Sequence, residues 1–201
     1  QTKVNENSIK NLNNIYGKTK LYGEEIIKYL SKKYNFQYSI LRYFNVIGAD
    51  EKLRVGPIRD SGHLFMNIIN SIFNKSFKIN IYGNKFNTKD GTGVRDFIDV
   101  EDICNIHLLS YKKMLRNKKS YEINCGIGKG YSVNDIINSF EKNIKKKFKK
   151  IIKKTRPGDV AMITCSNGYL RKTLNYKFKY NLTQSINKYL NWQKKNQIQQ
   201  V

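Results

Sequence analysis

The chain of 201 residues is 39% hydrophobic and 12% aromatic, enough to bury the core of one domain or two small ones and too apolar for a disordered composition. A net charge of +23 fits nonspecific, salt-sensitive binding of polyanions, but the cations are mostly lysines scattered among Asn, Ile and Tyr, with no nucleic-acid motif among them. No stretch approaches the eighteen apolar residues of a membrane span, and the three Cys and two His are too dispersed for a disulfide framework or a metal cluster.

The polar start QTKVNENS does not read as a signal peptide. The first helix carries YGKTK, Tyr16 to Lys20, followed by LYGEEIIKYL. Leu21, Ile26, Ile27 and Leu30 recur at helical intervals, and Glu24 stands one turn before Lys28. At i and i+4, Tyr16 and Lys20 share a face. A cation held beside a phenol lowers its pKa from about 10 and makes it a usable acid/base for a sugar hydroxyl. In a chain with 14 tyrosines the same spacing also arises by chance, with Tyr16 packed and Lys20 solvated.

The apolar run Tyr38 to Gly48 predicts one buried, parallel strand. A loop over 49–62 leads to a helix from His63 to Phe73, and Lys78 to Gly83 alternates as a short strand. NKFNTKDGTGVRD, residues 84–96, reads as a polar loop. FIDV, Phe97 to Val100, reads as a strand that enters a helix reaching about Leu115. Tyr121 to Gly126 is the next strand. Ser132 and Asp135 form a capping-box pair opening a helix with Val133, Ile136, Ile137 and Phe140 on its apolar face. The run from Lys142 to Lys154 reads as a solvated helix end followed by a strand. RPGD is a turn, SNGYLRKTL a short helix, and a terminal helix from Leu182 buries Ile186, Leu190 and Trp192. The fold class is α/β.

Four stretches in order, YGKTK, LRYFNVIGA, YGNKFNTKDGTGVRDFIDVEDICNIH and RPGDVA, resemble the UDP-glucose 4-epimerases of the extended short-chain dehydrogenase/reductase family. YEINCGIGKGYSV and the Trp192 end extend the likeness from near residue 10 to Trp192. The resemblance implies NAD as hydride acceptor, Tyr16 as the acid/base at the sugar 4-hydroxyl, and Lys20 on both the tyrosine and the nicotinamide ribose. Phe44 resembles the residue lining the nicotinamide. Asn45, His63, Leu64, Asn80, Ile81, Tyr82, Arg95, Arg156, Asp159 and Ile163 resemble the residues around the UDP-sugar, with no metal ligand among them. Arg95 and Arg156 match the diphosphate clamp, Asp159 a ribose carboxylate, and Asn80 to Tyr82 the strand at the uracil edge, where the backbone does the work. Ile163 falls where the family sets sugar-pocket size, between the bulky and the small variants, which leaves N-acetylated sugars open.

The likeness also implies a C-terminal part of a Rossmann-type NAD-binding domain over 1–48 and 97–125, with a smaller α/β UDP-sugar domain over 49–96 and 126–201. Three features depart from the family. The chain starts at Gln1, it has no strand with a glycine-rich turn for the NAD pyrophosphate, and no Ser or Thr suitably ahead of Tyr16. Ser8 stands too close to it, and GIGKG, Gly126 to Gly130, follows a late strand. The expectation is a C-terminal piece, unstable and without turnover by itself, from a cytoplasmic, homodimeric enzyme with no membrane partner and no specific nucleic-acid partner. The alternatives are another sugar-nucleotide epimerase or dehydratase, and a non-catalytic basic fragment.

Overall fold

The computed structural model describes residues 3–10, 15–57 and 62–198. Fifteen elements follow in order: β1 (Lys3–Val4), α1 (Ile15–Tyr34), β2 (Ser39–Tyr43), β3 (Asn45–Ile47), α2 (Leu64–Phe73), β4 (Lys78–Tyr82), β5 (Val94–Asp99), α3 (Val100–Asn117), β6 (Tyr121–Cys125), β7 (Gly130–Ser132), α4 (Val133–Ile144), β8 (Lys149–Lys153), β9 (Met162–Cys165), α5 (Gly168–Leu174) and α6 (Leu182–Ile198). The fold is α/β, and every strand pair is parallel except β5 with β7.

β5 is the hub. It pairs with β9 through Val94 and Arg95, with β7 through Val94 to Asp96, and with β3 through Phe97 to Asp99. β1 extends this sheet beyond β9, while β2 pairs with β6 and β4 with β8 in two further ladders. Two apolar cores lie around the hub. One packs α2, α4 and α6 against β4, with Ile47 and Phe97 at its edge. At its centre the Phe65 ring meets Phe97 and Phe140 at 5.4 Å and Tyr189 at 6.0 Å. The other packs α3 and α5 on β6 with Ile98. Successive strand residues face opposite sides, so Phe97 and Ile98 feed different cores.

Several elements differ from the sequence reading. The run from Tyr38 to Gly48 is two strands, because the chain leaves β6 at Phe44 and joins β5 at Asn45. The Phe44 amide still donates to the Cys125 carbonyl at 3.1 Å. Val94 to Asp96 belong to β5 and not to the preceding loop. Arg95 and Asp96 read as loop residues, yet Asp96 is fully buried and satisfied by backbone donors. β1, β7 and β9 were not legible, being two to four residues long. In α1 no residue is buried, and Ile26 and Ile27 are exposed. The capping box at Ser132 and Asp135 is present with both reciprocal bonds, and α4 buries Ile136, Ile137 and Phe140 while Val133 is partly buried. α6 buries Ile186 and Leu190 and leaves Trp192 half-buried.

Candidate functional site

The α1 end of the site is set by ion pairs. Arg42 of β2 donates Nε to Glu24 at 2.6 Å and Nη2 to Glu24 at 2.8 Å, and Arg42 also pairs with Glu122. Lys28 pairs with Glu122 at 2.6 Å, and Glu122 is the register partner of Ile40. Stepping back along α1 from Lys28 to Glu24 therefore moves forward along β2, so the helix runs antiparallel to the strand. Continued in that direction, α1 carries Lys20 and Tyr16 toward the Phe44 end of β2. Tyr16 is exposed, and the Lys20 ammonium sits 5.3 Å from its ring centroid. The two side chains do share a face, with the cation over the ring. Arg42 holds the Glu24 carboxyl well below the usual range, down to about 2, against the opposing effect of burial.

The other end is built where β4, β8, β5 and β9 come together. Asn80 and Tyr82 face outward from β4, while Ile81 is buried, so only its backbone is free to meet a ligand. The Arg156 guanidinium stacks over the Tyr82 ring at 3.9 Å. Arg156 opens a turn in which the Asp159 amide donates to its carbonyl at 3.2 Å. Two residues on, the Ala161 carbonyl accepts from Val94 at 2.8 Å, which brings the turn to Arg95. Arg95 donates to the Val94 carbonyl at 2.9 Å. Burial pulls its guanidinium below the usual pKa, and the Asp159 carboxylate pushes it back. Arg95 is flanked in register by Ile163 on β9 and Tyr131 on β7. Tyr82, Arg156, Asp159, Arg95 and Ile163 thus form one neighbourhood, and a partly desolvated guanidinium there suits an anionic ligand.

Between the two ends stand Asn45 and Phe44. Asn45 is exposed and in register with Phe97, two residues along β5 from Arg95. His63 is the exposed residue before α2 and makes no side-chain cap bond, while Leu64 packs on the larger core. The loop over 84–93 is locked in place below. Gly91, at φ +76°, would set a Cβ 2.2 Å from the Asn84 carbonyl, and the Asp90 carboxylate accepts from Thr92 and from Ser132 at the start of α4.

RDFIDVED also carries aspartates whose partners its local sequence does not reveal. Asp96 accepts from the amides of Ile127, Gly128 and Cys165 at 2.8–3.1 Å. Burial pushes its carboxyl up, and those amides oppose the shift. Asp102 accepts from Tyr176 Oη at 2.6 Å and the Lys179 amide at 2.9 Å. Asp99 caps α3 and binds α6. The glycines of GIGKG are packed against the chain itself. A Cβ at Gly126 would lie 2.5 Å from Cys165, one at Gly128 3.0 Å from Asn167, and one at Gly130 2.6 Å from Val94. They are not an open cradle for a pyrophosphate. Among the described residues there is no group of three or more His, Cys, Asp or Glu that could hold a metal, and no helix long and apolar enough to cross a membrane.

The model of the NAD dependent epimerase/dehydratase family matches residues 1–126. UDP-glucose 4-epimerase of Lactobacillus helveticus is 34% identical over 178 residues, covering 88% of this chain and 54% of that protein. A crystal structure of a UDP-glucose 4-epimerase superposes with a TM-score of 0.92 at 31% identity, covering 98% of this chain and 60% of that one. The Bifidobacterium longum UDP-glucose 4-epimerase, solved in complex with NAD+ and UDP, gives a TM-score of 0.88 at 28% identity over 98% of this chain and 60% of that one. The chain spans about half the length of the curated relatives it matches.

Proposed function

The chain belongs to the NAD dependent epimerase/dehydratase family, and from that membership we propose that the protein it forms, or forms part of, interconverts UDP-glucose and UDP-galactose. What carries the reading is the meeting of Arg95 and Arg156 beside Asp159 and Ile163, in a chain similar over about nine-tenths of its length to proteins named UDP-glucose 4-epimerase. Arg95 and Arg156 grip the diphosphate, because a planar guanidinium makes paired, charge-assisted bonds to phosphate. Asn45 meets the phosphates from β3, and Asp159 takes the ribose. The exposed edge of β4 at Asn80 to Tyr82 holds the uracil, with His63 and Leu64 closing that side. Ile163 borders the sugar.

The residues present fit the nicotinamide end of NAD. Tyr16 and Lys20 stand side by side and exposed, on the part of α1 that runs toward the break between β2 and β3 at Phe44. Phe44 lines the ring and Lys20 holds the ribose hydroxyls. NAD, when bound, supplies the acceptor and donor of the C4 hydride. Tyr16 takes the proton from the sugar 4-hydroxyl and returns it, with the Lys20 ammonium beside its ring. The pyrophosphate end needs a glycine-rich cradle that the packed Gly126 to Gly130 turn does not offer. Turnover is therefore expected of the protein expressed from its full coding sequence and not of these 201 residues alone.

In this reading residues 1–48 and 97–125 belong to the NAD-binding domain, and 49–96 with 126–201 to the UDP-sugar domain. The exposed stripe Ile15, Tyr22, Ile26 and Tyr29 on α1 suits packing against a second copy as a homodimer. Cys104, Cys125 and Cys165 are free thiols, and burial pushes Cys125 and Cys165 up to about 12, which fits the cytoplasm. The test is chromatographic: incubation of the full-length protein with UDP-galactose is expected to yield UDP-glucose, and a protein that binds UDP but leaves both sugars unchanged contradicts the assignment.

A further inference from the structure

Lys188 of α6 is the one lysine buried among the described residues. Its ammonium donates to Asp99 Oδ1 at 2.7 Å and Glu101 Oε2 at 2.6 Å, and lies 3.4 Å from the Tyr180 ring centroid. The Asp99 side chain is fully buried. It accepts from the Glu101 amide at 2.9 Å, where it caps α3, and from Ser185 Oγ at 2.5 Å. Its other neighbour is Gly48, at φ +89°, where a Cβ would stand 2.5 Å from Asp99 Oδ2. One carboxylate therefore touches the end of β5, the start of α3, the chain just past β3, and α6.

Farther along α6 the same helix holds the loop that leaves β3. Trp192 Nε1 and Gln193 Nε2 both donate to the Pro57 carbonyl at 3.0 Å, and Lys195 Nζ donates to the Leu53 carbonyl at 2.8 Å. β3 carries Asn45 and β5 carries Arg95. Asp99 is in register with Ile47, two residues from Asn45.

A buried ion pair is poor glue, because desolvation offsets most of its attraction. Adhesion of α6 is already supplied by Ile186, Tyr189 and Leu190, all buried in the larger core. What the charges add is direction: an ammonium between two carboxylates and an aromatic face admits one arrangement. We propose that Lys188 is a positioning residue of the UDP-sugar site. Its clamp on Asp99 and Glu101 ties α6 to the end of β5 and the start of α3, while Trp192, Gln193 and Lys195 of the same helix hold the loop that leaves β3, so that α6 braces the paired strands carrying Asn45 and Arg95. The inference rests on the function proposed above and adds to it a residue that touches neither substrate nor cofactor.

The experiment compares wild type, Lys188→Met, Lys188→Arg and the double variant Lys188→Met/Asp99→Asn in the protein expressed from its full coding sequence. Single removal strands a buried charge and can unfold the protein; the double variant avoids this. KM and kcat for UDP-galactose are measured below the thermal midpoint of each variant. KM is expected to rise about tenfold in Lys188→Met and in the double variant, with kcat held within about threefold, and to recover in Lys188→Arg. A folded double variant with the wild-type KM overturns the positioning role and leaves only a structural one. Loss of kcat and KM together, without recovery by arginine, overturns it as well. A wild-type protein that neither binds UDP nor turns over UDP-sugars removes the functional reading itself, and the clamp's role with it.

Discussion

The pairing of Tyr16 with Lys20 was legible because helical spacing alone puts the two side chains on one face. Tyr16→Phe in the full-length protein is expected to lower kcat by about a hundredfold or more while leaving UDP affinity unchanged, measured by steady-state kinetics and calorimetry. Arg95 was legible only through a family string, since a single arginine carries no spacing signal. Arg95→Lys keeps the charge but loses the planar fork, and is expected to weaken UDP binding about tenfold by calorimetry. The aspartates of RDFIDVED were opaque for a different reason: their partners are remote in sequence. Asp96 reaches Ile127, Gly128 and Cys165, and Asp102 reaches Tyr176 and Lys179. Asp96→Ala leaves buried backbone amides unpaired and is expected to cost about 3 kcal/mol of stability, read as a lowered urea midpoint.

At the scale of elements, amphipathic helices were read correctly and strand partners were not. α4 announces itself through its period and capping box, and α4 and α6 bury the apolar residues the sequence marks, Val133 and Trp192 being only partly covered. The run from Tyr38 to Gly48 looks uniform in sequence, yet it changes partner at Phe44, because hydrophobicity records burial and not which strand lies alongside. α1 departs from its pattern in that none of its apolar residues is fully buried and its attachment to β2 and β6 is ionic. That attachment depends on pH. Arg42 holds the folded Glu24 carboxyl down at about 2, below the 4.5 of an ordinary glutamate, so its contribution is complete above about 4.5 and is lost as pH falls through about 2. Amide exchange in α1 is expected to accelerate across that window ahead of α4, and Arg42→Met is expected to flatten the dependence. Equal acceleration in both helices contradicts the ionic account.

On the scale of the molecule, β5 joins two cores, and the candidate site follows that junction from Tyr16 and Phe44 to Arg95 and Arg156. The fold class was legible from alternating helices and strands. The convergence of residues 82, 95, 156 and 163 was implied only by the family resemblance, because it is made by crossovers that no local pattern encodes. The charge of +23 belongs to the surface as a whole. Retention on heparin is expected at low ionic strength and is expected to fall away by about 0.2 M salt, as nonspecific contacts do; retention at high salt contradicts a merely diffuse basic surface. Under the proposed function, the site inverts C4 of a UDP-hexose by moving its hydrogen out and back. The most direct measurement follows UDP-galactose deuterated at C4 through turnover by the full-length protein in ordinary water. The proposed epimerisation yields UDP-glucose that keeps the deuterium at C4. UDP-glucose that has lost the label to solvent, or no UDP-glucose at all, contradicts it.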